Sequence, residues 1–220
     1  MDVNRRKFLA GAASFVVGNA LSLGTAGPAQ ADQSCGPLVF YNGGLVRECS
    51  VGFRVSGVTA RQRCDQWCWA ACIEAAFGLY GYRVPQETIV AKIFGSRKPC
   101  RPSVGPGIAR AINGSWNDKK GKKFRAQARV HLDLQFGVSD PFALGNASRY
   151  LATNVPVIVG ALGHATLMTG MAWLEDNYGR QQLESIVVRD PWPGNKNRRV
   201  LTPQELYGTM FMAAVLVTRR

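Results

Sequence analysis

The chain has 220 residues, 46% of them hydrophobic, and carries 27 Lys and Arg against 14 Asp and Glu, a formal net charge of +13. This length suits one domain with a real core and is short for two. The basic charge favours contact with acidic surfaces such as lipid head groups or wall polymers. We predict no nucleic-acid partner, because the densest positive run, at 118–129, has one aromatic residue and is typical of a solvated loop.

Residues 1–31 are predicted to form a signal peptide. They combine a charged start, a modest apolar run and a small-x-small pattern that ends at Ala31. The run is too short and too rich in Gly, Ala and Ser for a membrane span, and Arg5-Arg6 resembles the twin-arginine export signal. An ordinary secretory signal that happens to hold two arginines is the alternative. We expect a bacterial, periplasmic or secreted protein, with no stable membrane insertion after cleavage.

The cysteines follow this segment and lie in the first half of the chain, at Cys35, Cys49, Cys64, Cys68, Cys72 and Cys100. An oxidising compartment favours disulfides, and one nucleophilic thiol among six would leave at most two disulfides. Residues 32–60 alternate short apolar pieces with Gly and Ser. We predict an irregular N-terminal arm there, held by a Cys35–Cys49 disulfide.

Residues 61–220 are predicted to form one α+β domain, with helices first and an antiparallel sheet later. The run from Trp67 to Leu79 is apolar almost all round, which indicates a helix buried in the core. Further helices are predicted at 85–95, 105–113 and 139–154 and after Thr202, and strands at 124–136, 155–162, 164–174, 183–190 and 210–218.

Cys68 is the cysteine best placed for nucleophilic chemistry. It opens the buried helix, where the helix dipole favours a thiolate, and Asp65 or Gln66 is expected to cap that helix. Cys72 lies one turn deeper and is expected to behave as a small hydrophobic residue. A preferred disulfide, Cys64–Cys100, would brace the approach to the helix, although spacing alone does not fix the connectivity.

His164 is the candidate general base and acid. The chain has two histidines, and His131 lies in an alternating segment where it is most simply a strand residue. His164 lies between two apolar strands, and its small neighbours leave the ring open to a cleft. Gln62 precedes Cys68 in the approach loop, so its amide is the candidate oxyanion donor. Gln66 is a competing candidate whose side chain is expected to point away from the thiol.

These residues resemble the papain-like cysteine peptidases, and QWCWAAC, which ends at Cys72, is especially similar to the bacterial C39-like and AvrRpt2-like groups. The resemblance implies a papain-like fold, with the helix of Cys68 central and packed on the sheet. It also implies a catalytic set of Cys68, His164, Asp190 and Gln62, in which Asp190 orients the histidine ring. The interval from Cys68 to His164 is shorter than in cathepsin-type enzymes, which indicates a compact bacterial branch.

The predicted function is an exported cysteine peptidase that hydrolyses or transfers an amide bond of a peptide or protein substrate, with no cofactor and no metal. One alternative is a cysteine-ligated metal protein, because Cys64, Cys68 and Cys72 would share one helix face, with His131 or His164 completing the shell. The other is a non-catalytic binding module that keeps the papain-like fold.

Overall fold

The computed structural model describes residues 31–53, 61–96 and 98–219. The predicted signal peptide, apart from Ala31, lies outside the described residues. No helix of the described part of the chain is long and apolar enough to cross a membrane.

An antiparallel sheet of eleven strands organises the described residues. The order across its main path is β1-β3-β8-β7-β11-β5-β4, with β2 beside β3, β6 beside β5, and β9 joining β8 to β10. The strands are β1 (Ala31–Cys35), β2 (Val39–Tyr41), β3 (Gly44–Phe53), β4 (Gly114–Asn117), β5 (Lys123–Asp133), β6 (Val138–Ser139), β7 (Val157–Ala161), β8 (His164–Asp176), β9 (Gln181–Arg189), β10 (Arg198–Val200) and β11 (Thr209–Arg219).

Five α-helices accompany the sheet in the described residues, close to the predicted positions: α1 (Cys68–Leu79), α2 (Gln86–Phe94), α3 (Gly105–Ile112), α4 (Ala143–Ala152) and α5 (Pro203–Tyr207). The N-cap of α1 is Trp67, and no side chain caps the helix, so the expected cap from Asp65 or Gln66 is wrong. The α5 helix has a full capping box, in which Thr202 and Glu205 satisfy each other's backbone N–H groups.

Two hydrophobic cores lie on opposite faces of the sheet because successive strand residues alternate between faces. On one face α1 packs with Ile158 and Leu167, and on the other α4 packs with Val159 and Met168. The fold is therefore mixed, with helices on both sides of a large antiparallel sheet. The predicted division into a helical half and a sheet half is only partly correct.

The described part of the N-terminal arm, residues 32–53, is not irregular, which corrects the sequence prediction for that part. Strand β3 buries Cys49, Val51 and Phe53 at every second position and pairs with β8. Asn42 and Gly43, at φ values of 49° and 84°, form the two-residue turn between β2 and β3. Asn-Gly between apolar runs is a strong hairpin signal, because both turn residues need positive φ. The arm is thus an integral edge of the sheet.

The sheet brings the candidate residues to one end of the molecule. Strand β8 begins at His164, opposite Ala161 of β7, and β9 ends at Arg189, just before Asp190. The α1 helix begins at Cys68 and packs across β8. The N-terminus of a helix, the start of one strand and the end of its neighbour therefore meet at this end.

Candidate active site

The Cys68 thiol lies where the first turn of α1 meets the start of β8. The helix begins after a turn closed by the N–H of Trp67, which donates to the carbonyl of Cys64 at 2.9 Å. The N–H of Ala165 donates to Cys68 Sγ at 3.5 Å. The first N–H groups of a helix lack intrahelical partners, and the helix dipole stabilises negative charge there. This position favours a thiolate.

The pKa of Cys68 is lowered despite its partial burial. Burial raises this pKa, but a hydrogen bond with His164, the N–H of Ala165, the charge of His164 and the N–H of Trp69 together outweigh burial. Each of these groups stabilises the thiolate and not the thiol. The thiol therefore ionises more readily than a free cysteine.

The His164 ring is held between Cys68 and Asp190. Its Nε2 lies 2.8 Å from Asp190 Oδ1, and because a carboxylate only accepts, Nε2 carries the proton. Nδ1 is therefore the ring nitrogen that is available to hydrogen-bond to Cys68. Burial lowers the pKa of His164, but hydrogen bonds and charge interactions with Asp190 and Cys68 raise it to about 9. The geometry therefore favours an imidazolium–thiolate pair at neutral pH.

Asp190 is fully buried and accepts four hydrogen bonds. Oδ1 accepts from His164 and from the N–H of Trp192, and Oδ2 accepts from Asn195 at 2.8 Å and from Arg199 at 2.6 Å. Burial raises its pKa, but these donors lower it well below the usual range. Asp190 is therefore a carboxylate at neutral pH.

The sequence reasoning missed three residues around Asp190, which are Asn195, Arg199 and Glu205. Arg199 also donates to both oxygens of Glu205, at 2.7 and 2.6 Å. Glu205 was recognisable as part of the Thr202 capping box, but nothing in the local sequence pairs Arg199 with Asp190. That contact arises because β10 pairs with β9 and places Arg199 opposite Val188.

Gln62 is buried beside the start of α1, but its amide does not reach the thiol. Its Nε2 donates to the carbonyls of Cys64 at 3.2 Å and Asp65 at 2.9 Å, so both N–H groups brace the turn before the helix. Its Oε1 is buried and finds no hydrogen-bond partner among the described residues. Gln66 is exposed.

The approach loop is fastened to the turn that follows Asp190. The N–H of Gln62 donates to the carbonyl of Pro191 at 3.0 Å, and Arg61 Nη1 donates to the carbonyls of Trp192 and Asn195. Buried Gln86 holds the same loop through the carbonyl of Arg61 and the N–H of Arg63. The loop that precedes Cys68 and the turn that carries Asp190 therefore behave as one unit.

Both expected disulfides are present, Cys35–Cys49 and Cys64–Cys100. The second one ties the approach loop to residues 98–101, and the indole N–H groups of Trp67 and Trp69 donate to the carbonyls of Pro99 and Arg101. Because Cys64 is bonded to Cys100, the metal hypothesis loses one of its three thiolates.

Cys68 and Cys72 are the free cysteines of the described residues, and they differ in environment. Cys72 is 1% exposed, and burial, followed by the charges of Cys68 and Asp190, raises its pKa well above that of a free thiol. It therefore stays a neutral thiol in the core.

His131 lies in a separate cluster on β5. Its Nδ1 is 2.7 Å from Asp140 Oδ2, and its Nε2 is 3.4 Å from the hydroxyl of Tyr150. Asn146 donates to the same Asp140 oxygen. The cluster connects β5 to α4.

No protein-family model matches the chain, and no curated protein matches it. Among solved structures, the crystal structure of UfSP from C. elegans is similar to 89% of this chain, with a TM-score of 0.43 and 14% sequence identity. The similar region is 35% of the UfSP chain, so this chain spans about a third of the length of that protein.

Proposed function

We propose that this protein is a papain-like cysteine peptidase of the bacterial C39-like or AvrRpt2-like type, exported by a twin-arginine signal and active on a peptide or protein. Cys68 is the nucleophile, His164 the general base and acid, and Asp190 the orienting carboxylate. The observation that supports it most is the alignment of a thiol at a helix N-terminus, an imidazole and a fully buried carboxylate.

The first half of the proposed reaction forms a thioester. The Cys68 thiolate attacks the carbonyl carbon of an amide and gives a tetrahedral intermediate. His164 Nδ1 donates its proton to the leaving nitrogen, the carbon–nitrogen bond breaks, and an amine departs. Asp190 keeps Nε2 protonated and holds the imidazole ring in one orientation during this transfer.

The second half releases the acyl group. Neutral His164 takes a proton from water, the hydroxide attacks the thioester carbonyl, and the Cys68 thiolate departs as the acid is released. An amine that takes the place of water would give transfer instead of hydrolysis. The partial exposure of His164, whose side chain is 25% exposed, leaves room for this second nucleophile.

The oxyanion of the intermediate would lie at the start of α1. The free N–H groups of the first helical turn are one source of donors. Gln62 is the proposed side-chain donor, and to act it must release its longer hydrogen bond, the one to Cys64 at 3.2 Å. On the usual scale for one oxyanion donor, Gln62→Ala lowers kcat about 10²–10³-fold. A larger loss with Gln66→Ala would assign the role to Gln66.

Covalent labelling tests the proposed function directly. The purified protein is treated with substoichiometric iodoacetamide at neutral pH, and the labelled cysteine is mapped by peptide mass spectrometry. We expect label on Cys68 and none on Cys72, together with hydrolysis of a denatured protein substrate that Cys68→Ala abolishes. Label distributed without preference, or hydrolysis that survives Cys68→Ala, would refute the proposal and favour the non-catalytic module.

A further inference from the structure

A second ion pair lies behind the carboxylate of the proposed triad. Arg199 Nε donates to Asp190 Oδ2 at 2.6 Å, and its terminal nitrogens donate to the two oxygens of Glu205. The side chains of Arg199 and Glu205 are each 17% exposed. His164, Asp190, Arg199 and Glu205 therefore form a continuous series of alternating charges.

The backbone fixes both members of this pair. Arg199 is the central residue of β10, and Glu205 is the third residue of α5, where its carboxylate also accepts the N–H of Thr202 at 2.8 Å. The bidentate contact defines the plane of the guanidinium, and the remaining Nε–H then points at Asp190. The Asp190 side chain is thus held from the side opposite to His164.

The charges of the pair act on His164 in opposite directions. The Arg199 cation stabilises the Asp190 carboxylate and weakens the attraction between that carboxylate and an imidazolium. The Glu205 anion compensates the Arg199 cation. Because the cluster is largely shielded from water, these effects are screened less than they would be on the surface.

We propose that Arg199 and Glu205 are positioning residues that fix the Asp190 side chain and set the proton affinity of His164 in the Cys68–His164 pair. This inference rests on the proposed function of the site and adds to it a means by which the protein sets the pH range of the pair. Neither residue touches the reacting atoms.

The test compares two variants that remove opposite charges. Glu205→Gln keeps the capping box, which accepts glutamine, but leaves Arg199 uncompensated, so it lowers the pKa of His164 by about one unit. Arg199→Gln removes the cation and raises the pKa of His164 by a similar amount. The pKa is read by ¹⁵N-histidine NMR titration, in which the protein gives two ring systems and His131 serves as the internal reference.

Two further variants keep the test decisive. Arg199→Lys retains the cation, so it shifts the pKa of His164 less than Arg199→Gln, and it replaces that variant if Arg199→Gln does not fold. The control is Arg47→Gln, which removes a different arginine–glutamate pair, Arg47–Glu175, between β3 and β8 of the same sheet. It leaves the His164 titration unchanged.

The pH dependence of iodoacetamide reaction at Cys68 is the second readout, and it separates two kinds of failure. If wild-type Cys68 reacts with the pH profile of an ordinary thiol, the proposed function fails. If Cys68 is activated but the Arg199 and Glu205 variants shift the pKa of His164 in the same direction, or not at all, only the present inference fails.

Discussion

Two histidine–aspartate pairs lie in this molecule, and their local geometry is nearly the same. The Nδ1 of His131 is 2.7 Å from Asp140, and the Nε2 of His164 is 2.8 Å from Asp190. The aspartates differ, because the Asp140 side chain is 25% exposed whereas Asp190 is fully buried and bonded to Arg199.

The partner of the second ring nitrogen separates the pairs further. For His131 it is the hydroxyl of Tyr150, and for His164 it is Cys68 at a helix N-terminus. A histidine–aspartate contact is therefore not a sufficient sign of catalysis. Reactivity requires a group that the imidazolium can activate, and a carboxylate that water does not screen.

Replacing each histidine in turn by glutamine gives the largest expected effect. His164→Gln removes the proposed general base and acid, so we expect kcat/KM to fall about 10³-fold or more, whereas His131→Gln should leave it within a factor of two. Both are measured on a denatured protein substrate, with folded enzyme quantified by circular dichroism. Comparable losses in two well-folded variants would remove the distinction between the pairs.

The aspartates give the next largest effect. Asp190→Asn offers one acceptor oxygen where four donors converge, so its NH₂ group faces a donor such as Arg199 Nε. We expect measurable activity about 10²-fold below wild type with a lowered pKa of His164, and a larger loss for Asp190→Ala. Asp140→Asn is the matched control. Turnover per titrated thiol that is unchanged in both Asp190 variants would limit Asp190 to a structural role in its turn.

The pH profile sharpens the comparison without any substitution. The lowered pKa of Cys68 and the pKa of His164 near 9 predict a bell-shaped kcat/KM, which rises as the thiol ionises and falls near pH 9 as the imidazolium loses its proton. An alkaline limb near pH 6.5, the ordinary value for histidine, would contradict the ion pair.

The same shift has a consequence for stability, with a definite sign. Because folding raises the pKa of His164 from 6.5 to about 9, its contribution is complete below pH 6.5 and disappears as the pH rises through 9. Folding lowers the pKa of Cys68, so the contribution of the thiol is lost as the pH falls through that lowered pKa and is gained as the pH rises, which offsets the His164 change. The urea midpoint of wild type should therefore change little between pH 7 and pH 9, whereas that of Cys68→Ala, in which the His164 contribution stands alone, should fall over the same range. A midpoint of Cys68→Ala that does not fall would contradict the raised pKa of His164.

The second free thiol gives the smallest expected effect. Cys72→Ala removes one buried sulfur from α1, so it lowers the free energy of unfolding by about 1 kcal/mol and leaves kcat near wild type. Denaturant unfolding and single-turnover kinetics measure the two quantities. A tenfold loss of kcat in the folded variant would mean that Cys72 takes part in the chemistry.

Local patterns selected two of the three residues that the fold brings together, and the resemblance to papain-like peptidases supplied the third. Cys68 was marked by the start of an apolar helix and His164 by small neighbours between strands, whereas Asp190 was implied by the resemblance. Each pattern reflects backbone geometry within a few residues. The structure places His164 in contact with both Cys68 and Asp190.

Features that depend on register could not be predicted in the same way. The contact of Arg199 with Asp190 requires the pairing of β9 and β10, and in a basic chain one arginine does not stand out from the others. The hydrogen bonds from the Gln62 amide to the turn before α1 could likewise not be predicted from the sequence. The β2–β3 hairpin was visible in Asn42-Gly43 and was missed because its short apolar pieces were interpreted as irregular.

The link between the approach loop and the Asp190 turn has a kinetic consequence. Gln62 and Arg61 bond to residues that lie far along the chain, at Pro191, Trp192 and Asn195. Closing the intervening loops costs entropy, so contacts of such long sequence separation slow folding. His164 and the N–H of Ala165 both lie on β8, so Cys68 has neither until β8 has docked on α1. The lowered pKa of the thiol is therefore a property of the completely folded chain and not of the helix alone.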